Sequence, residues 1–349
     1  MDLKQENIDH EIYMQRCLDL ALKGLGKTYP NPLVGSVIVH NNRVIGEGWH
    51  QKAGEAHAEV NAIASVKNKA LLKESTLYVN LEPCNHTGKT PPCSNLIVTH
   101  QLKRVVVGCV DPFDQVNGSG IRTLKEAGIG VVVGVLEKEA QELNKRFFTV
   151  HQKKRPYIIL KWAESTDGFI APLPNQRSET KPVFLSSKED QVLVHQWRTQ
   201  ENGILVGAQT ILADNPKLTS RWVKGNNPVR IALDPSGRIP INAHFFDETA
   251  NSLQLTKKSL GMDEDCSPIQ FLENSLIFLQ QKGISSILVE GGTKTLQHFI
   301  DHNLWDEARI FISPLKLQDG ISAPSITGKT LENVGNRYIS LLPQPQKHP

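Results

Sequence analysis

Two short segments hold residues that together could bind a metal ion. The first is the run HAE, which begins at His57, and the second contains Cys84 and Cys93, each preceded by a proline. One imidazole and two thiolates form a ligand set that zinc prefers, and three protein ligands leave a fourth position for water. Glu59, two residues after the histidine, is a carboxylate that could move protons to and from such a water. The pattern predicts a catalytic zinc site.

Two alternatives to this assignment stay open. His86, two residues after Cys84, is a rival for the imidazole ligand, although His57 has the advantage of Glu59 nearby. A purely structural zinc site is the other alternative, but structural sites usually close with four ligands and need no adjacent carboxylate. The signature of zinc nucleobase deaminases, H-x-E followed by P-C-x-x-C, matches only in its first half, because eight residues separate the two cysteines here.

Length and composition limit the class of protein. A chain of 349 residues is long for one core, so two domains are expected. Lys and Arg (39) barely exceed Asp and Glu (36), which gives no support for a large nucleic-acid surface. Five cysteines are an odd number in a chain too long for a disulfide scaffold, and thiolate ligands need reducing conditions, so we expect a cytoplasmic protein. The charged N-terminus lacks the apolar segment of a signal peptide, and no apolar run approaches the ~20 residues of a membrane helix.

Hydrophobic periodicity in the first half predicts alternating strands and helices, which indicates an α/β layered sheet. The predicted elements are a helix at 11–24, a hairpin of strands at 34–39 and 44–49, a helix at 56–66, a strand at 76–81, a helix opening at 91, a strand at 104–110, a helix at 121–127, a strand at 130–135 and a helix at 137–148. His57 and Glu59 are expected in the first turn of one helix, and Cys93 in the first turn of another.

Asn31 lies between two prolines that restrict the backbone on both sides. Its side chain either closes an Asx-type turn or points its amide at a substrate ring. The residues alone leave both interpretations open.

A second domain is expected after the polar, basic linker at 151–156. Its predicted strands lie at 158–163, 203–206, 229–233 and 285–289, and the polar stretch 251–266 is expected to be a loop. The last strand runs into Gly291-Gly292 and a helix, where backbone N–H groups can bind a phosphate, although most such turns only reverse the chain. Because no G-x-G-x-x-G follows a strand, a Rossmann dinucleotide site is not indicated.

Long stretches of the chain closely resemble the bifunctional deaminase–reductases of riboflavin biosynthesis. These stretches are PNPLVGSVIV, GEGWHQKAGEAHAEVNAI, NLEPCNHTGKTPPC, LKWAESTDG, ILVGAQTILADNPKLTSR, PVRIALD and ILVEGGTKTL. The resemblance covers nearly the whole chain, and the family's pattern includes the eight-residue spacing of the cysteines. It implies a cytidine-deaminase-like three-layer α/β/α domain at residues 1–150 and a dihydrofolate-reductase-like α/β domain at residues 151–349.

The resemblance also implies two successive reactions. A zinc-dependent hydrolysis would deaminate 2,5-diamino-6-ribosylamino-4(3H)-pyrimidinone 5′-phosphate, with Glu59 as the catalytic residue, and NADPH would then reduce the ribosyl side chain to ribityl. The substrate residues that it implies are Arg198, Leu218, Arg221 and Glu290. Asn31 is a further candidate substrate residue because of its position between two prolines. The cofactor residues that it implies are Ala163, Phe184, Thr210, Asp214, Gly292, Thr293, Lys294, Thr295 and Leu296.

Three positions depart from the family's usual residues. Pro182 and Pro235 stand where the family often has serine, and Phe184 stands where it often has tryptophan. The prolines remove hydroxyl groups and Phe184 lacks an indole N–H, so weaker binding of the reductase cofactor is expected.

The expected partners are a phosphorylated pyrimidine and a second copy of the chain, with no nucleic acid and no membrane. The alternative function is a zinc deaminase of nucleobases or nucleic acids whose C-terminal half is a non-catalytic binding module. Such a protein should carry a basic stripe with aromatic residues for stacking flipped bases. The sequence contains no obvious run of this kind.

Overall fold

The computed structural model describes residues 3–85, 91–113, 116–176, 184–334 and 338–343. The chain forms two compact units, Met1–Lys153 and Lys154–Pro349. Among the described helices, none is long and apolar enough to cross a membrane.

The first unit is a five-stranded sheet covered by helices. Its elements are α1 (Leu3–Leu22), β1 (Gly35–His40), β2 (Arg43–Trp49), α2 (Ala58–Ser65), β3 (Thr76–Leu81), α3 (Cys93–Thr99), β4 (Arg104–Cys109), α4 (Ser119–Glu126), β5 (Gly130–Val133), α5 (Glu137–Leu143) and α6 (Lys145–Lys153). The strand order is β2-β1-β3-β4-β5. β1 is antiparallel to both of its neighbours, whereas β3, β4 and β5 are parallel.

Alternate residues of each strand face opposite layers of helices, as period-2 alternation requires. Leu77 and Val79 of β3 pack in one cluster with residues of α2, α3 and α4. Tyr78, between them, packs on the other face with Met14 and Leu20 of α1. The three-layer α/β/α fold is therefore confirmed.

Two predicted boundaries in this unit were wrong. His57 is the N-cap of α2, with extended φ and ψ of −71° and 164°, and does not lie in its first turn. The single helix predicted at 137–148 is two helices that meet at Asn144, and the second continues into the predicted linker. A tertiary contact accompanies the break: the Asn144 side chain accepts a hydrogen bond from Leu33 N (2.8 Å) and donates one to Leu33 O (2.9 Å).

The second unit is built on an eight-stranded sheet of order β10-β9-β8-β11-β6-β12-β15-β14. Its elements are β6 (Tyr157–Ser165), β7 (Phe169–Ala171), α7 (Lys188–Gln200), β8 (Gly203–Gly207), α8 (Ala208–Asp214), β9 (Val229–Leu233), β10 (Ser252–Leu255), α9 (Pro268–Gln281), β11 (Ser286–Gly291), α10 (Thr293–Asp301), β12 (Glu307–Ser313), β13 (Ile321–Ser322), β14 (Lys329–Val334) and β15 (Tyr338–Leu342). The six strands from β10 to β12 are parallel, and β15 and β14 complete the sheet antiparallel.

Helices cover both faces of this sheet. Ile158 and Leu160 of β6 pack with α9 and α10, while Ile159 packs with Trp197 of α7 on the other face. Because parallel strands end at the same edge, the carboxyl ends of β8 and β11 lie side by side, and α8 and α10 begin there. Thr210 in α8 and the turn from Gly292 to Leu296 at the start of α10, which hold predicted cofactor residues, lie at this edge.

The prediction of a loop throughout 251–266 was wrong, because Ser252–Leu255 form the edge strand β10. Leu255 is buried in the core at 1% exposure, and β10 pairs in parallel with β9. The alternation Ser-Leu-Gln-Leu is a short strand signal, which the polar residues on both sides obscured.

Candidate active sites

Three predicted metal ligands meet in the first unit. His57 Nδ1 lies 3.5 Å from Cys84 Sγ and 3.3 Å from Cys93 Sγ. In a tetrahedral site with ordinary Zn–N and Zn–S bonds these separations would be about 3.6 Å, so the donors fit zinc in type and in spacing. In the described ranges these three residues form the group suited to hold a metal ion. His86, the rival ligand, lies outside the described residues.

The local fold explains why these side chains converge. Cys84 follows the end of β3, Cys93 opens α3, and His57 caps α2. The backbone N–H of Cys93 points at Cys84 Sγ (3.3 Å), and the N–H of Ser94 donates to Cys84 O (3.2 Å). The start of α3 therefore wraps around the end of β3.

Hydrogen bonds and burial shift the pKa values of the two thiols in opposite directions, so that Cys84 loses its proton before Cys93. The Cys93 thiol donates to Cys84, and this bond, with those from His57 and the Cys93 N–H, lowers the pKa of Cys84 to about 4. The pKa of Cys93 is raised, first because its proton is held by Cys84 and second because the thiol is buried. The pKa of His57 is raised by the same bond to Cys84. A divalent cation at this position displaces thiol protons outright.

Glu59 lies in the first turn of α2 and is 3% exposed. Burial, followed by the charge of Cys84, raises the pKa of its carboxyl to about 7. A carboxyl group that titrates near neutral pH can both accept and donate a proton at working pH. The site thus joins a metal-ligand cluster to a group able to carry protons.

His50 connects Asn31 to the same site, because its ring contacts both Asn31 and His57. The Asn31 amide nitrogen lies 3.1 Å from His50 Nε2, and His50 Nδ1 lies 3.1 Å from Ala56 O. Because the carbonyl is an acceptor, Nδ1 carries the proton and Nε2 accepts from Asn31. The His50 ring is edge-on to the His57 ring at 5.5 Å, and its pKa is lowered by burial. The sequence offered no way to assign this role to His50.

Glu82 fixes the segment that precedes Cys84. Its buried carboxylate accepts four backbone N–H bonds, from Asp111 (3.2 Å), Gly118 (2.9 Å), Gly120 (2.9 Å) and Ile121 (3.2 Å). Two of these donors belong to the first turn of α4, where an acidic group is favoured. A Cβ at Gly120 would lie 2.1 Å from Pro83 O, so only glycine permits this approach.

In the second unit, predicted cofactor residues line the ends of β8 and β11. Thr210 Oγ1 lies 3.0 Å from the position that a Cβ would take at Gly291 and 3.2 Å from the one at Gly292. A Cβ at Gly207 would lie 2.5 Å from Thr295 Oγ1. Gly292 has a φ of +76° and is the N-cap of α10, and the lack of Cβ atoms at these glycines lets the hydroxyl groups of Thr210 and Thr295 pack beside the first N–H groups of that helix. An extended anionic cofactor fits such a cradle.

Predicted substrate residues meet beside this edge. Arg198 binds Glu290 through Nε–Oε1 (2.7 Å) and Nη2–Oε2 (2.8 Å), and donates to Thr219 O (3.0 Å). Lys161, in the middle of β6, approaches Glu290 at 3.9 Å. The pKa of Lys161 is lowered by burial. Sequence reasoning missed Lys161, although a lysine inside the apolar run of β6 was a usable signal.

The other predicted residues of this unit occupy varied positions. Leu218 is buried with a positive φ of 53°, and Arg221 lies over the Trp222 ring at 5.8 Å. Ala163 is in β6, Asp214 ends α8, and Leu296 is buried in the core. Thr293 Oγ1 donates to Ser322 O (2.7 Å), and Lys294 is exposed in the first turn of α10.

Two of the three residues that depart from the family pattern, Phe184 and Pro235, lie in described segments of the second unit. Phe184 is 55% exposed shortly before α7. Pro235 follows β9, and its carbonyl accepts a hydrogen bond from Lys257 N (3.1 Å). Pro182 lies outside the described residues.

His195 is a second feature that sequence reasoning missed. Its ring stacks on Trp222 at 5.0 Å with planes 8° apart, and Trp222 N points at its Nδ1. Burial, then Arg198 and Arg221, lowers the pKa of His195 to about 4. The ring is therefore neutral beside two arginines.

A histidine, two cysteines and a buried glutamate on an α/β/α sheet define a zinc-dependent deaminase unit, and a cofactor cradle on a mostly parallel sheet defines a reductase unit. Residues 7–109 match the cytidine and deoxycytidylate deaminase zinc-binding region, and residues 156–334 match the RibD C-terminal domain.

Whole-chain relatives agree with both matches. The riboflavin biosynthesis protein RibD of Aquifex aeolicus is 40% identical over 92% of this chain and 91% of its own length. That of Escherichia coli is 35% identical over 87% of each. A solved deaminase/reductase from Thermotoga maritima has a TM-score of 0.84 at 35% identity, covering 97% of this chain and all of that one. Acinetobacter baumannii RibD gives 0.86 at 30% identity, with the same coverage.

The chain therefore belongs to the RibD family of bifunctional riboflavin biosynthesis enzymes, and the resemblance seen in its sequence is confirmed. Its cofactors are Zn²⁺ and NADPH, which the cysteine–histidine cluster and the reductase domain fit. The alternative of a nucleic-acid deaminase with a non-catalytic module is not favoured, because the second half matches a reductase domain.

Proposed function

We propose that residues 1–150 are a deaminase domain, that residues 151–349 are a reductase domain, and that they act in this order on one phosphorylated pyrimidine. The substrate is 2,5-diamino-6-ribosylamino-4(3H)-pyrimidinone 5′-phosphate. It loses a ring amine as ammonia, and its ribosyl group is then reduced to ribityl. The observation that carries the proposal is the position of the two thiols: Cys84 Sγ and Cys93 Sγ both lie within 3.5 Å of His57 Nδ1. The buried Glu59 is part of the same site.

In the deaminase domain, His57, Cys84 and Cys93 hold the zinc ion. The ion supplies Lewis acidity and lowers the pKa of water that it binds. Glu59 takes a proton from the attacking water and delivers one to the leaving amine, a double role that suits a buried carboxyl in the first turn of α2, two residues from the ligand His57. Asn31, oriented by His50, binds the pyrimidine ring through its amide.

In the reductase domain, the edge formed by β8 and β11 holds NADPH, which supplies the hydride. Gly292 and the first turn of α10 bind an anionic part of the cofactor through backbone N–H groups. The other residues that we assign to this site are Ala163, Phe184, Thr210, Asp214, Thr293, Lys294, Thr295 and Leu296, and the last of these can contribute only its backbone because its side chain is buried in the core. Lys294, exposed in the same turn, would add a positive charge that suits a phosphate group.

The substrate lies between Leu218 and Glu290 in that domain. Arg221 pairs with the 5′-phosphate, for which a guanidinium fork is well shaped. Arg198 donates two N–H groups to Glu290 and thereby fixes the orientation of that carboxylate. Glu290 in turn faces the ribosyl hydroxyl groups. Two cationic side chains around one carboxylate keep Glu290 ionised and fixed in place.

The finer expectations about partners belong to the same proposal. The enzyme works on a small molecule in the cytoplasm, has no nucleic-acid partner and forms a homo-oligomer. A single-stranded DNA column at low salt tests the nucleic-acid part, and strong retention would contradict it. Light scattering measures the mass of the assembly.

The deciding experiment follows ammonia and NADPH together. The purified zinc protein receives the diaminopyrimidinone ribosyl phosphate as its only substrate, with NADPH present. The absorbance at 340 nm reports the NADPH that remains. Ammonia release that precedes the oxidation of an equal amount of NADPH supports the activity of both domains and their order. Ammonia release with NADPH untouched would leave a deaminase beside an inactive second domain and would point to Phe184, Pro182 and Pro235.

A further inference from the structure

The residue after each zinc-site cysteine makes a contact that the ligand set does not explain. Asn85 follows Cys84, and Ser94 follows Cys93. Ser94 Oγ donates to Asn85 Oδ1 at 2.7 Å, and Thr123 Oγ1 of α4 donates to the same oxygen at 3.2 Å. Ser94 is fully buried, so its hydroxyl depends on a protein acceptor. One amide oxygen thus joins three segments of the chain.

The other side of Cys84 is attached to the same helix. Glu82 binds the N–H groups of Gly120 and Ile121 at the start of α4. Cys84 is therefore held between two attachments to α4, one through Glu82 and one through Asn85 and Thr123. Of the two, only the contact at Asn85 also reaches the segment that carries Cys93.

We propose that Asn85 is a positioning residue for the zinc site, because its amide oxygen holds the Cys84 and Cys93 segments at the separation that the metal requires. Eight residues lie between these cysteines, so their mutual position depends on contacts between the two segments, and the Asn85 side chain adds to the backbone bond from Ser94 N–H to Cys84 O. A ligand pair that is already in place loses less conformational freedom when the metal binds. The inference rests on the proposed roles of the three ligands.

The test measures how fast the full-length zinc protein gives up its metal to an excess of a colorimetric zinc chelator. Asn85→Ala should release zinc about tenfold faster than the unchanged protein, the lower end of what loss of an outer-shell partner typically costs in metal affinity. Ser94→Ala should also release zinc about tenfold faster. The double variant, Asn85→Ala with Ser94→Ala, should release zinc little faster than either single variant, since both substitutions remove the same bond.

Matched controls lie on α3 itself. Asn95 is an exposed amide on the same helix as Ser94, and Thr99 Oγ1 donates to Asn95 O of that helix. Asn95→Ala and Thr99→Ala should release zinc at the unchanged rate. Equal rates for Asn85→Ala and Asn95→Ala would overturn the proposal.

Thr123 separates positioning from general stability. Thr123→Val keeps the shape but removes the hydroxyl, whereas Thr123→Ser keeps the hydroxyl. Thr123→Val should release zinc faster, and Thr123→Ser should restore the unchanged rate. With Co²⁺ in place of zinc, the thiolate absorption bands should move in Asn85→Ala but not in Thr123→Ser. Equally fast release from both Thr123 variants, or an unmoved spectrum in Asn85→Ala, would contradict the proposal.

Failure of this inference differs from failure of the proposed function. A parent protein that binds zinc in a 1:1 ratio while Asn85→Ala releases it at the parent rate would remove only the role of Asn85. A parent protein that binds no zinc would overturn the ligand assignment and this inference together.

Discussion

The Arg198 guanidinium and the Glu290 carboxylate form two parallel hydrogen bonds, at 2.7 and 2.8 Å, with side chains only 12% and 7% exposed. Burial alone would raise the pKa of Glu290, but the charges of Arg198 and Lys161 outweigh it and lower this pKa to about 2. The carboxylate is therefore ionised throughout the range in which an enzyme of this kind works.

Replacing Arg198 with glutamine should destabilise the second unit by about 3 kcal/mol at pH 7, because the buried Glu290 carboxylate loses its bidentate partner and keeps only Lys161, at 3.9 Å. An acid whose folded-state pKa is depressed stabilises the fold above its unfolded value, here about 4.3, and this contribution is lost as the pH falls toward 2. The difference between the two proteins should thus shrink below pH 4.3. Urea unfolding followed by tryptophan fluorescence measures it.

The exposed pair Arg16–Glu47 supplies the control for this prediction. It has the same short contact, 2.7 Å, but its side chains are 44% and 32% exposed. Arg16→Gln should lower the free energy of unfolding by less than about 1 kcal/mol. Equal losses for Arg16→Gln and Arg198→Gln would argue against a special role for the buried pair.

More of the candidate deaminase site than of the candidate reductase site can be predicted from the residues alone, and the reason is physical. Cys84 and Cys93 are residue types whose chemistry narrows their use, and helix and strand signals place them at element ends. Arg198 and Glu290 are common residue types that lie 92 positions apart, and only the fold brings them together.

Some contacts carry no sequence signal at all. His50 takes its role from Asn31 and Ala56, and neither partner marks it as special in the sequence. Asn144 lies between α5 and α6, and its side chain reaches Leu33, a contact between residues 111 positions apart. Periodicity reports which face of an element is buried, but it does not report which distant backbone group a polar side chain will reach.

Replacing Glu59 with glutamine should abolish ammonia release, by a factor of about 1,000 or more, because the amide cannot carry the proton in either direction. The three zinc ligands are untouched, so bound zinc should remain at one ion per chain. Metal analysis and an ammonia assay on the same sample measure both quantities. A variant that loses its zinc would show that Glu59 supports the ligands as well as the chemistry.

Removing the zinc should expose a reactive thiolate at Cys84. Its pKa is lowered to about 4 in the metal-free arrangement, whereas burial raises the pKa of Cys109 to about 12. At pH 6, iodoacetamide should therefore label Cys84 in the chelator-treated protein, leave Cys109 unmodified, and label neither in the zinc protein. Peptide mass spectrometry identifies the site. Equal labelling of Cys84 with and without zinc would contradict its assignment as a ligand.

Replacing Gly292 with alanine should raise the KM for NADPH about tenfold or more while ammonia release stays unchanged. The residue has a φ of +76°, and a Cβ there would lie 3.2 Å from Thr210 Oγ1, inside the proposed cofactor cradle. Gly283 offers a matched control, since it has a φ of +79° and no atom within 4 Å of the position of a Cβ. Gly292 also has a ψ of 121°, which lies outside the left-handed α region, so Gly292→Ala should carry the larger backbone strain and lose more stability than Gly283→Ala. Only Gly292→Ala places a methyl group in the cradle, and an equal rise in KM for Gly283→Ala would mean that strain, and not the lost space, weakens NADPH binding.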